Sequence, residues 1–202
     1  MKLYFSPASP YVRKVMASAW QLGLQDEVEK LPSAASPVKR DMTIAPVNPL
    51  GKVPTAFLDD GTALIDSRTI CEYLHSRAPE KGLFPDVGPD RWEALRLHAI
   101  ADGVIDAALL ARYELAMRPT GMRWDDWTRG LMSKIDAGVS ALELSVANLE
   151  TPHIGTITAG CALGYLDFRF PDLDWRKGND RIADWWSKFA TARCMTETLP
   201  TS

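Results

Sequence analysis

Three short segments place polar or conformationally restricted residues where a helix or a tight turn begins. They are Ser9-Pro10, Val53-Pro54 and Asp66-Ser67. The start of a helix presents N–H groups without partners and the positive end of the helix dipole, so it favours a bound anion. A serine hydroxyl at that place either donates a hydrogen bond to the anion or only caps the helix. The residues alone leave both interpretations of Ser9 open.

The other two segments also have two interpretations each. Val53-Pro54 is an X-Pro bond of the kind that can be cis in a tight turn, or it is the start of an edge strand. Asp66-Ser67 is an anion-binding helix start or an ordinary N-cap worth roughly 1 kcal/mol, and both can hold at once. Lys52, beside the turn, is a point charge for an anionic group or a solvated lysine.

The elements around these segments follow the order β-α-β and then β-β-α. A strand is predicted before Ser9 and a helix from Pro10 that ends at Gly23. The motif Asp59-Asp60-Gly61 predicts a hairpin between two later strands. The predicted strands are Lys2–Phe5, Val28–Leu31, Thr55–Leu58 and Ala63–Ile65, and the second helix begins at Asp66-Ser67.

The character of the chain changes near residue 78. Prolines and glycines cluster over residues 79–89, which indicates a linker. Helical periodicity follows over residues 91–118, 124–150, 156–168 and 180–192, with no convincing strand. We therefore predict an N-terminal α/β domain over residues 1–78, a linker over 79–89 and an all-α domain over 90–202.

Composition narrows the classes of function. The net charge is -3 and no basic run is present, which argues against nucleic-acid binding. No signal peptide and no apolar run long enough for a membrane span is recognised, so we expect a cytoplasmic protein without membrane contact. Three widely spaced cysteines favour a reducing compartment. The three histidines form no metal-binding pair, so no metal site is expected.

Taken in order, the segments resemble the cytosolic glutathione transferases, and the resemblance covers the whole chain. Ser9-Pro10-Tyr11-Val12-Arg13-Lys14 looks most like bacterial members that begin Ser-Pro-Phe/Tyr-Val-Arg-Lys, and Gly51-Lys52-Val53-Pro54 and Asp66-Ser67 follow at matching places. The resemblance implies a thioredoxin-like N-terminal domain and an all-α C-terminal domain. It also implies a homodimer, in which the position of Arg68 often reaches the partner subunit. A surface arginine is the alternative interpretation of Arg68.

The resemblance assigns roles in binding glutathione. A free thiol of pKa about 8.5 is only ~3% ionised at pH 7, and a hydroxyl donor at Ser9 would stabilise the reactive thiolate. Lowering that pKa by ~2 units takes about 2.7 kcal/mol. Pro54 would be cis and Val53 would pair with the cysteinyl backbone, while Lys52 reaches the glycyl carboxylate. Asp66 would accept from the ammonium, and Ser67 with the helix amides would bind the neighbouring carboxylate.

The pocket for the second substrate is expected from the helical domain, against the Ser9 edge. Spacing alone suggests Tyr11, Asp102, Asp106 and Tyr113. Asp102 and Asp106 lie four residues apart on one helix face, which suits a paired acid site, solvated carboxylates or a surface facing a partner subunit.

Two departures from the family pattern stand out. Many relatives cap the central helix of the second domain with Ser/Thr-x-x-Asp, whereas this chain has His153-Ile154-Gly155-Thr156. Either Thr156 or His153 caps instead, or the helix starts later, and we interpret His153 as structural. No cysteine occupies Ser9 or Pro10, which argues against a thiol-transferase or dehydroascorbate reductase.

The resulting hypothesis is a detoxifying glutathione S-transferase that joins glutathione to a small hydrophobic electrophile without a metal or organic cofactor. The alternatives are a non-catalytic carrier or binding protein of the same fold, and a glutathione-dependent dehalogenase or isomerase. These motifs do not identify the electrophile.

Overall fold

The computed structural model describes residues 1–33 and 36–201. Within these residues the N-terminal part forms one sheet of four strands in the order β2-β1-β3-β4. β1 is parallel to β2, and β3 is antiparallel to both β1 and β4. The strands are β1 Lys2–Phe5, β2 Glu29–Pro32, β3 Thr55–Phe57 and β4 Ala63–Ile65. This mixed sheet with its two helices has the predicted thioredoxin-like fold.

Helix α1 spans Pro10–Leu22 and packs against α2, which spans Ser67–Arg77. Ser9 is the N-cap of α1, and Pro10 occupies the first position, where its missing N–H would have had no partner. Gly23 ends α1 in the left-handed conformation with φ 78°, and its N–H bonds the carbonyls of the last turn. The predicted start and end of α1 are confirmed.

The rest of the chain is helical. α3 spans Gly88–Ala116, α4 Asp125–Leu144, α5 Ile154–Arg169, α6 Asp180–Phe189 and α7 Arg193–Thr196. α3 packs against both α4 and α5. Every residue from Ile154 to Leu166 is buried, so α5 is the central helix of this part. No helix in residues 1–33 and 36–201 combines the length and apolar character needed to cross a membrane.

The end of α4 differs from the predicted helix over residues 124–150. α4 ends at Leu144, and a short 3₁₀ helix over Val146–Leu149 follows. The break lies at Ser145, whose N–H bonds the Leu142 carbonyl three residues back, while its hydroxyl accepts a hydrogen bond of 2.9 Å from Arg96. The tighter backbone bond converts the last turn from α to 3₁₀ geometry.

Contacts divide the chain into two compact units. The first is Met1–Phe84 with the C-terminal segment that begins at Arg193, and the second is Pro85–Ala192. The C-terminal segment joins the first unit because Arg13 on α1 donates a 3.2 Å hydrogen bond to the Met195 carbonyl and Arg193 stacks over Trp20. The predicted division instead placed residues 90–202 together in the helical domain. The boundaries 1–78, 79–89 and 90–202 stay a prediction.

The N-terminus of α5 is capped by His153, one of the two residues expected to do so. His153 Nδ1 accepts from the Thr156 N–H at 3.2 Å, and Thr156 Oγ1 accepts in return from the His153 N–H at 3.3 Å. His153 Nε2 lies 2.9 Å from the Asn148 carbonyl, so that nitrogen carries the proton. The capping box therefore requires the neutral imidazole.

This cap makes stability depend on pH. Burial lowers the pKa of His153, opposed by the Asn148 carbonyl and Glu93, so the unfolded chain binds the proton more readily than the folded one. The stability that the neutral cap contributes is complete above the unfolded pKa near 6.5 and is lost as the pH falls below it. Serine at this position keeps a cap and removes the titration. We expect the unfolding free energy of His153→Ser to fall less between pH 7.5 and 5.5 than that of the native protein in urea titrations. Parallel curves for the two proteins would contradict this.

Candidate active site

The register of the sheet brings the three sequence segments to one edge. Tyr4 pairs with Thr55, and Thr55 pairs with Ile65 on its other side. Tyr4 lies near the end of β1, Thr55 begins β3 and Ile65 ends β4. At this edge the chain leaves β1 towards Ser9, enters β3 from Pro54 and leaves β4 towards Asp66.

Ser9 uses only part of its hydrogen-bonding capacity as the N-cap. Its Oγ accepts from the Val12 N–H at 3.3 Å, and its side chain is half-buried. A hydroxyl has one proton to donate besides two acceptor positions. No acceptor for that proton is found within residues 1–33 and 36–201. Capping and donation to a bound anion are therefore compatible in Ser9, so the two interpretations do not compete.

The turn before β3 is organised by a buried asparagine that the sequence analysis missed. Asn48 is 1% exposed, and its Nδ2 donates to Thr55 Oγ1 at 2.8 Å and to the Lys52 carbonyl at 3.3 Å. Its Oδ1 accepts from the Leu50 N–H at 3.0 Å, and Thr55 Oγ1 donates to the Lys52 carbonyl at 2.7 Å. The Asn-Pro sequence, typical of such side-chain turns, was the available signal.

This network fixes the backbone at the edge of the sheet. The Val53-Pro54 peptide bond is cis, and no described residue bonds the N–H or carbonyl of Val53. Gly51 has φ 60°, and a Cβ there would lie 2.7 Å from Arg40 Cγ, so a side chain at this turn is both strained and crowded. Lys52 is exposed. The turn therefore presents the N–H and the carbonyl of Val53, neither with a described partner, beside the cation of Lys52.

Asp66 has a strained backbone at the start of α2. Its φ is 49°, which is rare for a residue other than glycine and persists where the surroundings enforce it. One carboxylate oxygen, Oδ1, accepts from the N–H groups of Arg68 at 2.8 Å and Thr69 at 3.4 Å. No described residue bonds the other oxygen. Asp66 is exposed, so this oxygen can take a cation from solution.

The hydrogen bonds that cap α2 leave fewer N–H groups for the anion site that was expected there. The N–H groups of Arg68 and Thr69 bond the Asp66 side chain, and the Ile70 N–H bonds its carbonyl. In the first turn of α2, the N–H of Ser67 alone has no described acceptor. Of the helix N–H groups that were expected to bind a carboxylate, only that of Ser67 is therefore available, together with the Ser67 hydroxyl.

Three residues suggested for the second substrate lie in the helical unit and Tyr11 lies on α1. Asp102 is buried, with Oδ2 3.2 Å from His98 Nε2, whereas Asp106 is exposed. The observed partner of Asp102 is an imidazole one turn earlier on α3, which differs from the suggested carboxylate pair. Tyr113 is half-buried, and burial raises its pKa. Roles for these residues stay a prediction.

Tyr113 belongs to a cluster that the sequence did not indicate. Burial raises the pKa of Tyr165 on α5 to about 12, while the charges of Arg169 and Arg112 act in the opposite direction and Tyr113 acts in the same direction as burial. The four residues come from two helices that are distant in sequence, and no local spacing reveals such a cluster. Only the packing of α3 against α5 brings them together.

Comparison with known proteins identifies the family. Residues 8–77 match the model of the glutathione S-transferase N-terminal domain. The Escherichia coli K12 protein described as the uncharacterized GST-like protein YibF is 32% identical over 174 residues, covering 84% of this chain and 83% of that protein. The chain belongs to the glutathione S-transferase family.

Solved glutathione transferases share the whole fold. A family member from Pseudomonas fluorescens Pf-5 with bound glutathione is 41% identical, with a TM-score of 0.97 over 100% of this chain and 99% of that one. A structure of a Pf-5 member with bound S-(propanoic acid)-glutathione is 41% identical, with a TM-score of 0.92 over 100% of both chains. A Methylobacillus flagellatus KT transferase with glutathione is 32% identical, with a TM-score of 0.89 over 99% of both. The α/β plus all-α architecture is that of glutathione transferases.

Proposed function

We propose that this protein joins the thiolate of glutathione to a small hydrophobic electrophile. The proposal rests on the register of three strands, in which Tyr4 pairs with Thr55 and Thr55 pairs with Ile65. Because of this register, Ser9, Val53-Pro54 and Asp66-Ser67 follow or precede the strands at one edge of the sheet. The relatives from Pseudomonas fluorescens, with glutathione and an S-substituted glutathione bound, support the same ligand for this chain.

Each group at that edge suits one part of the tripeptide. The free proton of Ser9 is a donor for the thiolate, beside the positive end of α1. The unpaired N–H and carbonyl of Val53 suit the cysteinyl backbone as a short added strand. The ammonium of Lys52 suits the glycyl carboxylate, and Ser67 suits the γ-glutamyl carboxylate. The free oxygen of Asp66 suits the adjacent ammonium.

The function is tested by titrating the thiol of bound glutathione through its ultraviolet absorbance and by assaying a panel of generic electrophiles. We expect a bound thiol with a pKa ~2 units below that of free glutathione, together with conjugation. Retention on immobilised glutathione without any conjugation would contradict the proposal and favour the carrier. Release of halide or isomerised product with recovery of free glutathione would favour the dehalogenase or isomerase.

Asp66 allows helix capping to be separated from ligand binding. Asparagine caps a helix as well as aspartate and tolerates positive φ, but it lacks the charge for an ammonium. We expect Asp66→Asn to unfold at nearly the native urea concentration and to bind glutathione about tenfold more weakly, because a charge-assisted bond becomes a neutral one. Asp66→Ala should lose the same affinity and also about 1 kcal/mol of stability. Native affinity in Asp66→Asn, measured by calorimetry, would remove Asp66 from the site.

We also propose the compartment, the oligomeric state and the place of this protein within its family. All three cysteines are buried thiols that form no disulfide among the described residues, which suits the reducing cytoplasm that we propose as the compartment. We propose a homodimer, measurable by analytical ultracentrifugation, and a place among the bacterial members with the Ser-Pro-Phe/Tyr-Val-Arg-Lys start.

A further inference from the structure

A cavity lies wholly within the helical unit, near the C-terminal ends of α3 and α5. It has a volume of about 430 Å³, within the range of small-molecule sites. Its lining comprises Arg112, Leu115, Thr128, Met132, Arg169 and residues 170–173. Two guanidinium groups thus border a mainly apolar space.

These two arginines differ from most others in the unit. Neither Arg112 nor Arg169 has a carboxylate within 4.0 Å among the described residues, although both side chains are half-buried. Other arginines of the unit are each bonded to an acid, namely Arg96, Arg118, Arg176 and Arg181. A half-buried cation without an anion is unfavourable, so the cavity attracts negative charge.

Arg169 stacks on an aromatic ring and also bonds the Tyr165 hydroxyl. Its guanidinium lies 4.0 Å from the centre of the Phe168 ring, so one face of the group is covered. The N–H groups of a guanidinium point outward in its plane, so stacking does not block them, and the hydrogen bond to Tyr165 uses only part of its five donors. The charges of Arg112 and Arg169 both act on the Tyr165 hydroxyl, and both side chains line the cavity.

We propose that this cavity binds the carboxylate of a small, largely apolar organic acid. A planar carboxylate matches the donor fork of an arginine, and Leu115, Met132, Phe170 and Leu173 offer apolar contact for the rest of the molecule. Asp172 also lines the cavity without pairing with either arginine, so the charged side chains of the lining sum to one positive charge. The lining therefore suits a monoanion better than a phosphate dianion.

Calorimetry with 4-phenylbutyrate and its neutral analogue 4-phenylbutanamide tests this site. We expect the native protein to bind the acid about tenfold more tightly than the amide, since only the acid forms charge-assisted bonds. Arg112→Met and Arg169→Met should each lose most of that preference and leave the affinity for the amide unchanged. Lys188→Met removes one positive charge from α6 outside the cavity and should leave both affinities unchanged.

A further variant keeps the proposal decidable if an arginine variant does not fold. Asp172 is exposed and has no described partner, so Asp172→Asn should preserve the fold and strengthen binding of the acid about threefold by removing a like charge. Equal affinities of the native protein for acid and amide would overturn the proposal. An acid preference that persists in Arg112→Met and Arg169→Met, or is lost in Lys188→Met, would also overturn it.

The carboxylate has two sources, a free organic acid or an acidic electrophile used in the proposed conjugation. Competition of 4-phenylbutyrate with a carboxylate-bearing electrophile, but not with its methyl ester, would indicate the electrophile. Absence of competition would indicate a separate ligand. The competition experiment rests on the proposed function, whereas the calorimetric binding experiment requires no turnover, so the two proposals can fail separately.

Discussion

Bound glutathione is expected to be about 50-fold less ionised at pH 6.5 when Ser9 is replaced by alanine. A thiol of pKa about 8.5 is ~1% ionised at that pH, whereas one of pKa about 6.5 is half ionised. The Ser9 proton, which has no acceptor within the described residues, is the donor that we propose supplies the difference. The measurement is the ultraviolet titration of glutathione bound to native protein and to Ser9→Ala.

The conjugation rate should fall less than the ionised fraction. A thiolate of higher pKa is the stronger nucleophile, and this offsets about tenfold of the loss over two pKa units. We therefore expect a decrease of roughly five- to tenfold in kcat at pH 6.5, with the affinity for glutathione nearly unchanged. The deficit should disappear near pH 7.5, where the variant's thiol is ~9% ionised, the native one ~91%, and the tenfold higher reactivity makes up the difference. Above that pH the variant should be the faster enzyme. A deficit that is independent of pH would contradict activation by Ser9.

Two variants separate thiol activation from helix capping. Glycine costs only a few tenths of a kcal/mol at an N-cap, so Ser9→Gly should keep near-native stability and still lose the ionisation. Ser6, in the same turn, accepts the Ser9 N–H through its carbonyl, a bond that Ser6→Ala retains. Ser6→Ala should therefore titrate like the native protein. If glutathione bound to Ser9→Gly ionised as it does in the native protein, Ser9 would act only as the helix cap.

Local signals predicted the elements but not how they meet. Ser9-Pro10 and Gly23 marked both ends of α1, and Asp59-Asp60-Gly61 marked the hairpin, because caps and turns act over a few residues. The use of the Arg68 and Thr69 amides by Asp66 depends on a backbone with positive φ that its sequence does not specify.

Tertiary features lay outside what spacing predicts. The return of the C-terminal segment depends on Arg13 reaching the Met195 carbonyl, and the cavity depends on Arg112 and Arg169 meeting from two helices. In both cases the partners are far apart in sequence, and only packing decides which residues meet.

Replacing Asn48 by alanine is expected to lower the free energy of unfolding by about 3 kcal/mol and to weaken glutathione binding. The side chain makes three hydrogen bonds from a position that is 1% exposed. Each such bond contributes about 1 kcal/mol net, and buried groups that lose a partner add to the cost. Because the bonds hold the carbonyl of Lys52, the peptide group at Val53 loses its position.

Urea denaturation and glutathione calorimetry measure the two effects, with Asn148→Ala as the matched control. Asn148 is exposed and its amide makes one bond, to Glu93, so its loss should cost under about 1 kcal/mol. Thr55→Val removes the hydroxyl that bridges Asn48 and the Lys52 carbonyl at nearly constant volume. Because both side chains support the same carbonyl, the double variant should lose at least about 1 kcal/mol less than the sum of the single losses. Strictly additive losses would mean that Asn48 and Thr55 stabilise the protein independently, and that the turn before β3 is held by other contacts.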